Sequence, residues 1–510
     1  MSAPGAGEQA GFSRGRSGSL IAFLLGAATV AGFAPLYLFP LPMLTLAALM
    51  LQWHAADTPR RAAWLGWYFG LGYFLTGVSW VYVSLHTFGA MPAPVAAFFT
   101  VLFCAYLALF PAAAGYVAAR VRAPAALKYA VAVPAAWTLL EWVRGWLFTG
   151  FSWLALGYSQ VPTSPLAGYA PLLGIGGVTL ATAATAGMAA TLALAVARRA
   201  SLVRQSALYA LLGVWLAGYG LLQVQWTQPA GQPLSVALLQ GNIPQDLKWR
   251  PEAVRSTLET YLNLTLAADS RLIVLPETAL PLFLRDVPSG YLERLGRHAA
   301  RHHGDVLIGV PEGSPDAGYY NSVISVGAAQ PQVYRKSHLV PFGEFIPLRP
   351  VLGWIVNTLS IPLQDFSRGT ETPRPLEVAG ERVAVNICYE DAFGEEIIRQ
   401  LPQATLLVNA SNVAWFGHSI APYQHLQISQ ARALETGRYM LRATNTGMTG
   451  VIDPRGMVVA LAPQFTSAMV VQEVQGYAGA TPYVRWGNAV VLALCAVLAL
   501  GACLAGRVRR

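Results

Sequence analysis

Charge is scarce in this chain. Asp, Glu, Lys and Arg make up 12% of its 510 residues, against about 25% in an ordinary soluble protein. Cysteine is scarcer still, with four residues. Cys104, Cys495 and Cys503 lie in apolar runs, where a small buried thiol is expected. Cys388 stands alone in the more polar part of the chain, which excludes a disulfide within that part. No interleaved basic and aromatic patch accompanies the net charge of +9, so a nucleic-acid partner is not expected. A phosphate-binding glycine loop of specific pattern is also missing. His298, His302 and His303 lie on a basic stretch beside Arg297 and Arg301 without a nearby carboxylate set, so a solvated face is expected there, and no metal.

What the chain has in excess is apolar residues, 55% of the total, and they are unevenly spread. Runs at about 19–34, 36–53, 62–85, 92–119, 129–148, 169–197, 206–224 and 488–506 each approach the ~20 residues that cross a bilayer. The break at Pro35 is also compatible with one re-entrant element, and the first run with a cleavable leader. Arg14 and Arg16, Arg60 and Arg61, Arg120, Arg122 and Lys128, Arg198, Arg199 and Arg204, and Arg507, Arg509 and Arg510 all fall on one side of an eight-span plan. The short loops on the other side carry only Arg144. Positive charge accumulates on the cytoplasmic side, which places the long polar region outside. The expected organisation is a disordered cytoplasmic segment at 1–18, seven spans over 19–224, an outer domain at 225–487, and a last span with a basic tail at 488–510. The aromatic, glycine-rich stretch from Glu141 to Pro171 suits either the outer interface or a tight connection between helices.

Within 225–487, apolar strands are expected from Leu234, Arg271, Asp305, Ser322, Arg382 and Ala404, with helices at 251–268, 288–303, 392–401 and 422–437. Several strands are apolar throughout, as in a sheet covered on both faces, which indicates an α/β domain.

Three groups stand at strand ends or in the turns after them. Glu277 ends "RLIVLPE", Lys336 lies in "VYRKSHLVPFGEF", and Cys388 ends "RVAVNIC". A carboxylate, an ammonium and a thiol suffice for acyl transfer: the first takes the thiol proton, the thiolate attacks a carbonyl, and the ammonium steadies the oxyanion. Glu390, Asp391, Glu395 and Glu396 follow Cys388 closely, and such acids would hold a thiol protonated. Taken singly, each residue also has a plain alternative: a helix cap for Glu277, solvated surface for Lys336, core packing for Cys388.

Together, "LIVLPET", "YRKSHLVPFGE" and "VNICYED" resemble the nitrilase, or carbon–nitrogen hydrolase, superfamily, with its Glu-Lys-Cys triad on an αββα sandwich. The flanking apolar runs narrow the likeness to the apolipoprotein N-acyltransferase family. "LLQGNIPQDLKW" and "NASNVAWFGHSIAPYQHLQISQARALETGRYMLRATNTG" are further matching stretches, and the likeness spans the chain after residue 18.

The resemblance implies a nitrilase-like αββα domain inserted in a bundle of eight transmembrane helices. It implies Cys388 as nucleophile, Glu277 as general base and acid, and Lys336 as oxyanion partner. Glu344, Tyr389, Glu390 and Trp249 match supporting positions. The implied reaction moves an acyl chain from a phospholipid, typically phosphatidylethanolamine, through a thioester. The acceptor is the α-amino group of a diacylglyceryl-modified N-terminal cysteine of a lipoprotein. It implies no cofactor, a bacterial inner-membrane location with the catalytic domain on the periplasmic side, and a monomer. Two rival readings are a membrane-tethered amidase on a small amide and a receptor or transporter whose outer domain only binds. Against the transporter, the apolar runs carry almost no internal charge, and ionisable groups inside the membrane usually mark transport paths.

Overall fold

Strand β1, Thr227–Gln240, shows why a sheet forms here and how it is covered. From Leu234 on, successive side chains point to opposite faces. Leu234, Val236 and Leu238 join one buried cluster, while Ala237 and Leu239 join another. Both faces are therefore apolar, and each must meet a further layer.

The computed structural model describes residues 15–347 and 365–508. It divides into two compact units. The first comprises residues 1–82, 92–224 and 486–510, and the second residues 83–91 and 225–485. Segment 83–91 thus groups with the second unit although its neighbours in sequence do not.

In the second unit the described strands after β1 are β2 Leu272–Val274, β3 Asp305–Ser314, β4 Gly318–Gly327, β5 Val333–Arg335, β6 Leu376–Val378, β7 Glu381–Ile387, β8 Leu406–Ser411, β9 Met440–Thr444, β10 Gly450–Ile452, β11 Val458–Leu461 and β12 Ala468–Gly479. They form two six-stranded sheets, ordered β12-β1-β2-β3-β4-β5 and β6-β7-β8-β9-β10-β11. In that order, both run antiparallel, parallel, parallel, antiparallel, antiparallel. The two halves thus repeat one plan.

Leu272, Val274, Leu307 and Val323 of the first sheet share a core with Val383, Val385, Leu406, Val408 and Leu441 of the second. The outer face of the first sheet packs on helices Pro251–Leu266 and Tyr291–Arg301 through Leu258, Leu262, Leu295 and Ala299. The outer face of the second packs on helix Ala421–Thr436 through Leu426 and Ala433. The layers are helix, sheet, sheet, helix. Fully burying one such Leu or Val stabilises by about 1.5–3 kcal/mol, so this continuous inner layer fixes where every strand end falls.

The first unit is helical. Its longer helices are Gly15–Thr29, Pro40–His54, Pro59–Val78, Ala93–Leu107, Leu109–Arg120, Val133–Arg144, Ala170–Ala197, Ser201–Leu222 and Ala489–Val508. Among the described residues, four helical stretches are long and apolar enough to cross a membrane: 15–32, 93–120, 165–197 and 201–222. A shorter apolar helix lies at 489–505.

Several expectations are corrected. Residues 15–18 are helical rather than disordered, while residues 1–14 lie outside the described residues. Pro35 stands between two separate helices, as expected of two runs, and the alternative of one kinked element is set aside. Cys503 is exposed, whereas Cys104 and Cys495 are buried. Arg144 is no loop charge: it ends a helix and is buried. It donates to the carbonyls of Phe151 and Trp153 at 2.9 and 2.7 Å. Glu141, 3.9 Å from it, accepts from the main chain of Leu156 at 3.0 Å and from Trp137 Nε1 at 2.9 Å. The stretch after Glu141 is accordingly a packed connection, with Trp153, Leu154, Leu156 and Tyr158 buried. In place of the expected helix 392–401 there is one short turn, Gly394–Ile397, followed by a 3-10 turn.

Candidate active site

Glu277 lies three residues beyond the short, wholly buried β2, after Leu275 and Pro276. Its main chain presses against Gly309 of β3, where an added Cβ would lie 2.2 Å from the Pro276 carbonyl oxygen. Only glycine fits there. The Glu277 carboxylate is buried. Oε1 accepts from Asn321 Nδ2 at 2.8 Å, and Oε2 from the main-chain N–H of Asn412 at 2.8 Å.

Lys336 directly follows β5. Its own N–H donates to the Asn321 carbonyl at 2.8 Å, and its side chain is 1% exposed. Nζ donates to Glu344 Oε1 at 2.9 Å and stands 3.6 Å from Glu277 Oε1. Asn321 joins the two acids, since its Nδ2 also donates to Glu344 Oε1 at 2.8 Å. Glu344 is held in turn by the Val340 N–H at 2.8 Å.

Cys388 begins the 3-10 turn Cys388–Ala392 that ends β7. Its φ is +54°, a left-handed conformation that costs a non-glycine residue about 1–3 kcal/mol unless its surroundings enforce it. They do so here. The Cys388 carbonyl accepts from Asn409 Nδ2 at 3.1 Å and from His425 Nε2 at 3.2 Å. The charges of Glu277 and Lys336 act on the thiol in opposite directions.

The acids after Cys388 are otherwise engaged. Glu390 Oε1 accepts from the N–H of Ser337 at 2.7 Å, from its hydroxyl at 3.0 Å and from the His338 N–H at 3.0 Å. Glu390 Oε2 accepts from the Ile387 N–H at 2.7 Å and from the Tyr334 hydroxyl at 2.8 Å. One carboxylate therefore clamps the segment bearing Lys336 to the strand bearing Cys388. Asp391 accepts from His425 at 2.7 Å, Ser429 at 2.5 Å and Arg442 at 3.2 Å. Glu396 meets His338 at 2.9 Å, and Glu395 is exposed.

The electrostatics follow from this packing. Burial opposes ionisation of Glu277, but Lys336, Asn321 and Lys248 outweigh it and hold the carboxyl below its ordinary value. Burial would also lower Lys336, yet the charges of Glu344 and Glu277 raise it. Burial and the charge of Glu277 push the Cys388 thiol up, with Lys336 pulling the other way. At rest the site holds an ionised base, an ammonium and a neutral thiol. It can pass a proton from sulfur to carboxylate when an electrophile arrives, with Nζ of Lys336 available as a donor to an oxyanion.

Among the expected residues, Glu277, Lys336, Glu344 and Cys388 converge on one cluster. Glu390 lies directly behind it. Tyr389 stands aside, edge-on to Phe393 and His338 at 5.0 and 5.8 Å. Trp249 is 54% exposed on the loop before helix Pro251–Leu266. Sequence reasoning missed Asn321, Asn412 and Lys248. Lys248 is buried with Nζ 3.2 Å from the Glu277 carbonyl, and its place beside Trp249 in "DLKW" was the available signal. The histidine group also departs from expectation. His298 is buried on the Ala268 carbonyl at 2.9 Å, and His302 lies 3.6 Å from Asp269.

Comparison with known proteins fits this geometry. Residues 235–483 match the carbon-nitrogen hydrolase family model, so the second unit is of the carbon–nitrogen hydrolase class. Residues 25–188 match the apolipoprotein N-acyltransferase N-terminal domain. The chain is 54% identical to an apolipoprotein N-acyltransferase of Nitrosomonas europaea over 95% of its length and 97% of that protein. It is 48% identical to one of Chromobacterium violaceum, over 96% of this chain and 94% of the other. A carbon-nitrogen hydrolase structure from Helicobacter pylori aligns at TM-score 0.37 and 15% identity, over 48% of this chain and 89% of that one. The chain belongs to the apolipoprotein N-acyltransferase family.

Proposed function

We propose that the protein transfers an acyl chain from a phospholipid to the N-terminal amine of lipoproteins, with Cys388 as the covalent carrier. The observation that carries this reading is the buried Glu277 carboxylate, 3.6 Å from the Lys336 ammonium, in one cluster with the Cys388 thiol on which both charges act.

Glu277 takes the thiol proton as sulfur attacks the ester carbonyl carbon of the donor. The carbonyl oxygen becomes an oxyanion facing the Lys336 ammonium. Collapse breaks the ester C–O bond, and Glu277 returns the proton to the departing lysophospholipid alkoxide. The thioester then meets the free α-amine of a diacylglyceryl cysteine. Nitrogen attacks, Glu277 accepts the amine proton, the C–S bond breaks, and the proton goes back to sulfur. Removing one oxyanion donor in such chemistry costs about 2.7–4 kcal/mol.

Phosphatidylethanolamine is the proposed donor. The proposed setting is the bacterial inner membrane, with eight spans and the catalytic domain at 225–487 on the periplasmic side, acting as a monomer. The one-sided distribution of Arg and Lys between the apolar runs supports this orientation. Both substrates are lipids held in a membrane, which gives the helical unit a purpose that a small-amide hydrolase lacks.

Purified protein incubated with phospholipid alone is expected to gain one acyl chain on Cys388. Neutral hydroxylamine should release it, and a diacylated lipopeptide with a free amine should discharge it. An adduct on Cys104, Cys495 or Cys503, or full turnover by Cys388→Ala, would sink the reading. Ammonia release from a small amide without lipid consumption would favour the amidase.

A further inference from the structure

Lys248 is a buried ammonium that the mechanism above leaves unused. It lies on the loop between β1 and helix Pro251–Leu266, a loop whose Leu247 and Trp249 are exposed on either side of it. Its Nζ donates to the Glu277 carbonyl at 3.2 Å, and its charge acts on both the Glu277 carboxylate and the Cys388 thiol. The same loop is fastened a second time, through Gln245 Oε1, which accepts from Asn412 Nδ2 at 2.8 Å. Asn412 is the residue whose main-chain N–H donates to Glu277.

We propose that Lys248 is a positioning residue of the acyl-transfer site: a second ammonium that supports negative charge on Glu277 and Cys388 and ties the Trp249 loop to the catalytic base. The charges around it come from every segment packed there. Glu277 follows β2, Lys336 follows β5, Glu344 lies beyond it, and Cys388 ends β7. On its own loop, Asp246 and Arg250 are exposed. Lys336 meets the charges of Glu344, Glu277 and Glu390, and Lys248 adds a second ammonium that acts on Glu277 and Cys388. Removing Lys248 leaves the cluster with an excess negative charge, which opposes an anion on sulfur and on the substrate oxygen.

The consequence is a distinctive pH dependence. Burial lowers Lys248 to about 8, with Glu277 and Cys388 holding it up against that pull. Glu277 titrates below its ordinary value, and the thiol and Lys336 are pushed up. Of the groups facing the site with a shifted value, only Lys248 loses charge near pH 8. The rate of acyl-enzyme formation should therefore fall as pH rises through about 8, because the ammonium is lost there.

The inference rests on the acyl-transfer reading, so the experiment separates the two. Initial rates of acyl-enzyme formation from phosphatidylethanolamine vesicles are measured by intact mass across pH for the full chain, Lys248→Met and Lys248→Arg. Lys248→Met should be slower at neutral pH by about 10- to 100-fold, the effect of one nearby charge, and should lack the alkaline limb. Lys248→Arg should recover the neutral rate and stay active to about pH 10, since guanidinium keeps its charge. Parental pH profiles in both variants would overturn the role. So would equal loss in both variants with lowered thermal stability and an unchanged profile, which marks a purely structural lysine. No adduct in the unmodified protein would instead refute the acyl-transfer reading, and this inference with it.

Discussion

The main-chain N–H of Asn412 donates to Oε2 of Glu277 at 2.8 Å, across 135 residues of sequence. The other oxygen of Glu277 takes Asn321 Nδ2 at 2.8 Å. Both oxygens therefore face donors.

Glu277→Gln makes that arrangement self-defeating. An amide offers one acceptor oxygen and one NH₂, so a donor must face a donor on one side. An unsatisfied buried polar group costs about 1–3 kcal/mol. The variant should lose that much stability while retaining its fold. Acyl-enzyme formation should fall by about 10²–10⁴-fold, the usual worth of a general base. Thermal unfolding in detergent and single-turnover mass measurement give the two numbers. Parental acylation would remove Glu277 from its role.

Lys336→Met acts on the same carboxylate from the other side. Glu277 is held low chiefly by Lys336 working against burial, so without it the carboxyl must titrate higher. A base works only when ionised. The acid limb of the rate profile should therefore move to higher pH, in addition to a rate loss of about 10²–10³-fold. A lower rate with an unmoved acid limb would show that Lys336 acts on the oxyanion alone.

Much of the sheet scaffold was legible, because β1, β3, β4, β7 and β8 are apolar runs that a buried strand requires. β11 and β12 were not: β11 is a four-residue strand with alternating exposure, and β12 is of mixed exposure and carries polar residues. β9 was hidden by Arg442, which reads as surface charge but is fully buried. The residues at strand ends could be listed from sequence. Their convergence could not, since Glu390 meets Ser337 from 53 residues away. The αββα layering came from resemblance, and Lys248 escaped because an isolated lysine usually marks solvent.

Orientation can be tested with single cysteines at Arg199 and Asp316, both exposed, in a chain whose four native cysteines are replaced. The distribution of Arg and Lys predicts that a membrane-impermeant maleimide labels position 316 in intact cells, and position 199 after permeabilisation alone. Labelling at 199 but not 316 in intact cells would reverse the orientation.

Behind Cys388, Arg442 Nη1 donates to Asp391 at 3.2 Å, to Asn409 Oδ1 at 2.6 Å and contacts Ser429 at 2.9 Å. Asn409 and His425 carry this network to the Cys388 carbonyl. Burial would raise Asp391, but His425 and Arg442 outweigh it and lower the carboxyl. The stabilisation from Asp391 is accordingly complete above the unfolded value, about 3.9, and is lost as pH falls through the lowered folded value. Arg442→Met at neutral pH strands a buried carboxylate and should cost about 3–5 kcal/mol. Asp391→Asn combined with Arg442→Met removes both charges, and should be more stable than Arg442→Met alone. A coupling above about 0.5 kcal/mol in thermal unfolding marks a direct pair. Since the network also holds the left-handed turn at Cys388, the double variant should regain stability without regaining the full acylation rate. Strict additivity of the two changes would show that Asp391 and Arg442 act independently, and that the turn at Cys388 is held by the main chain alone.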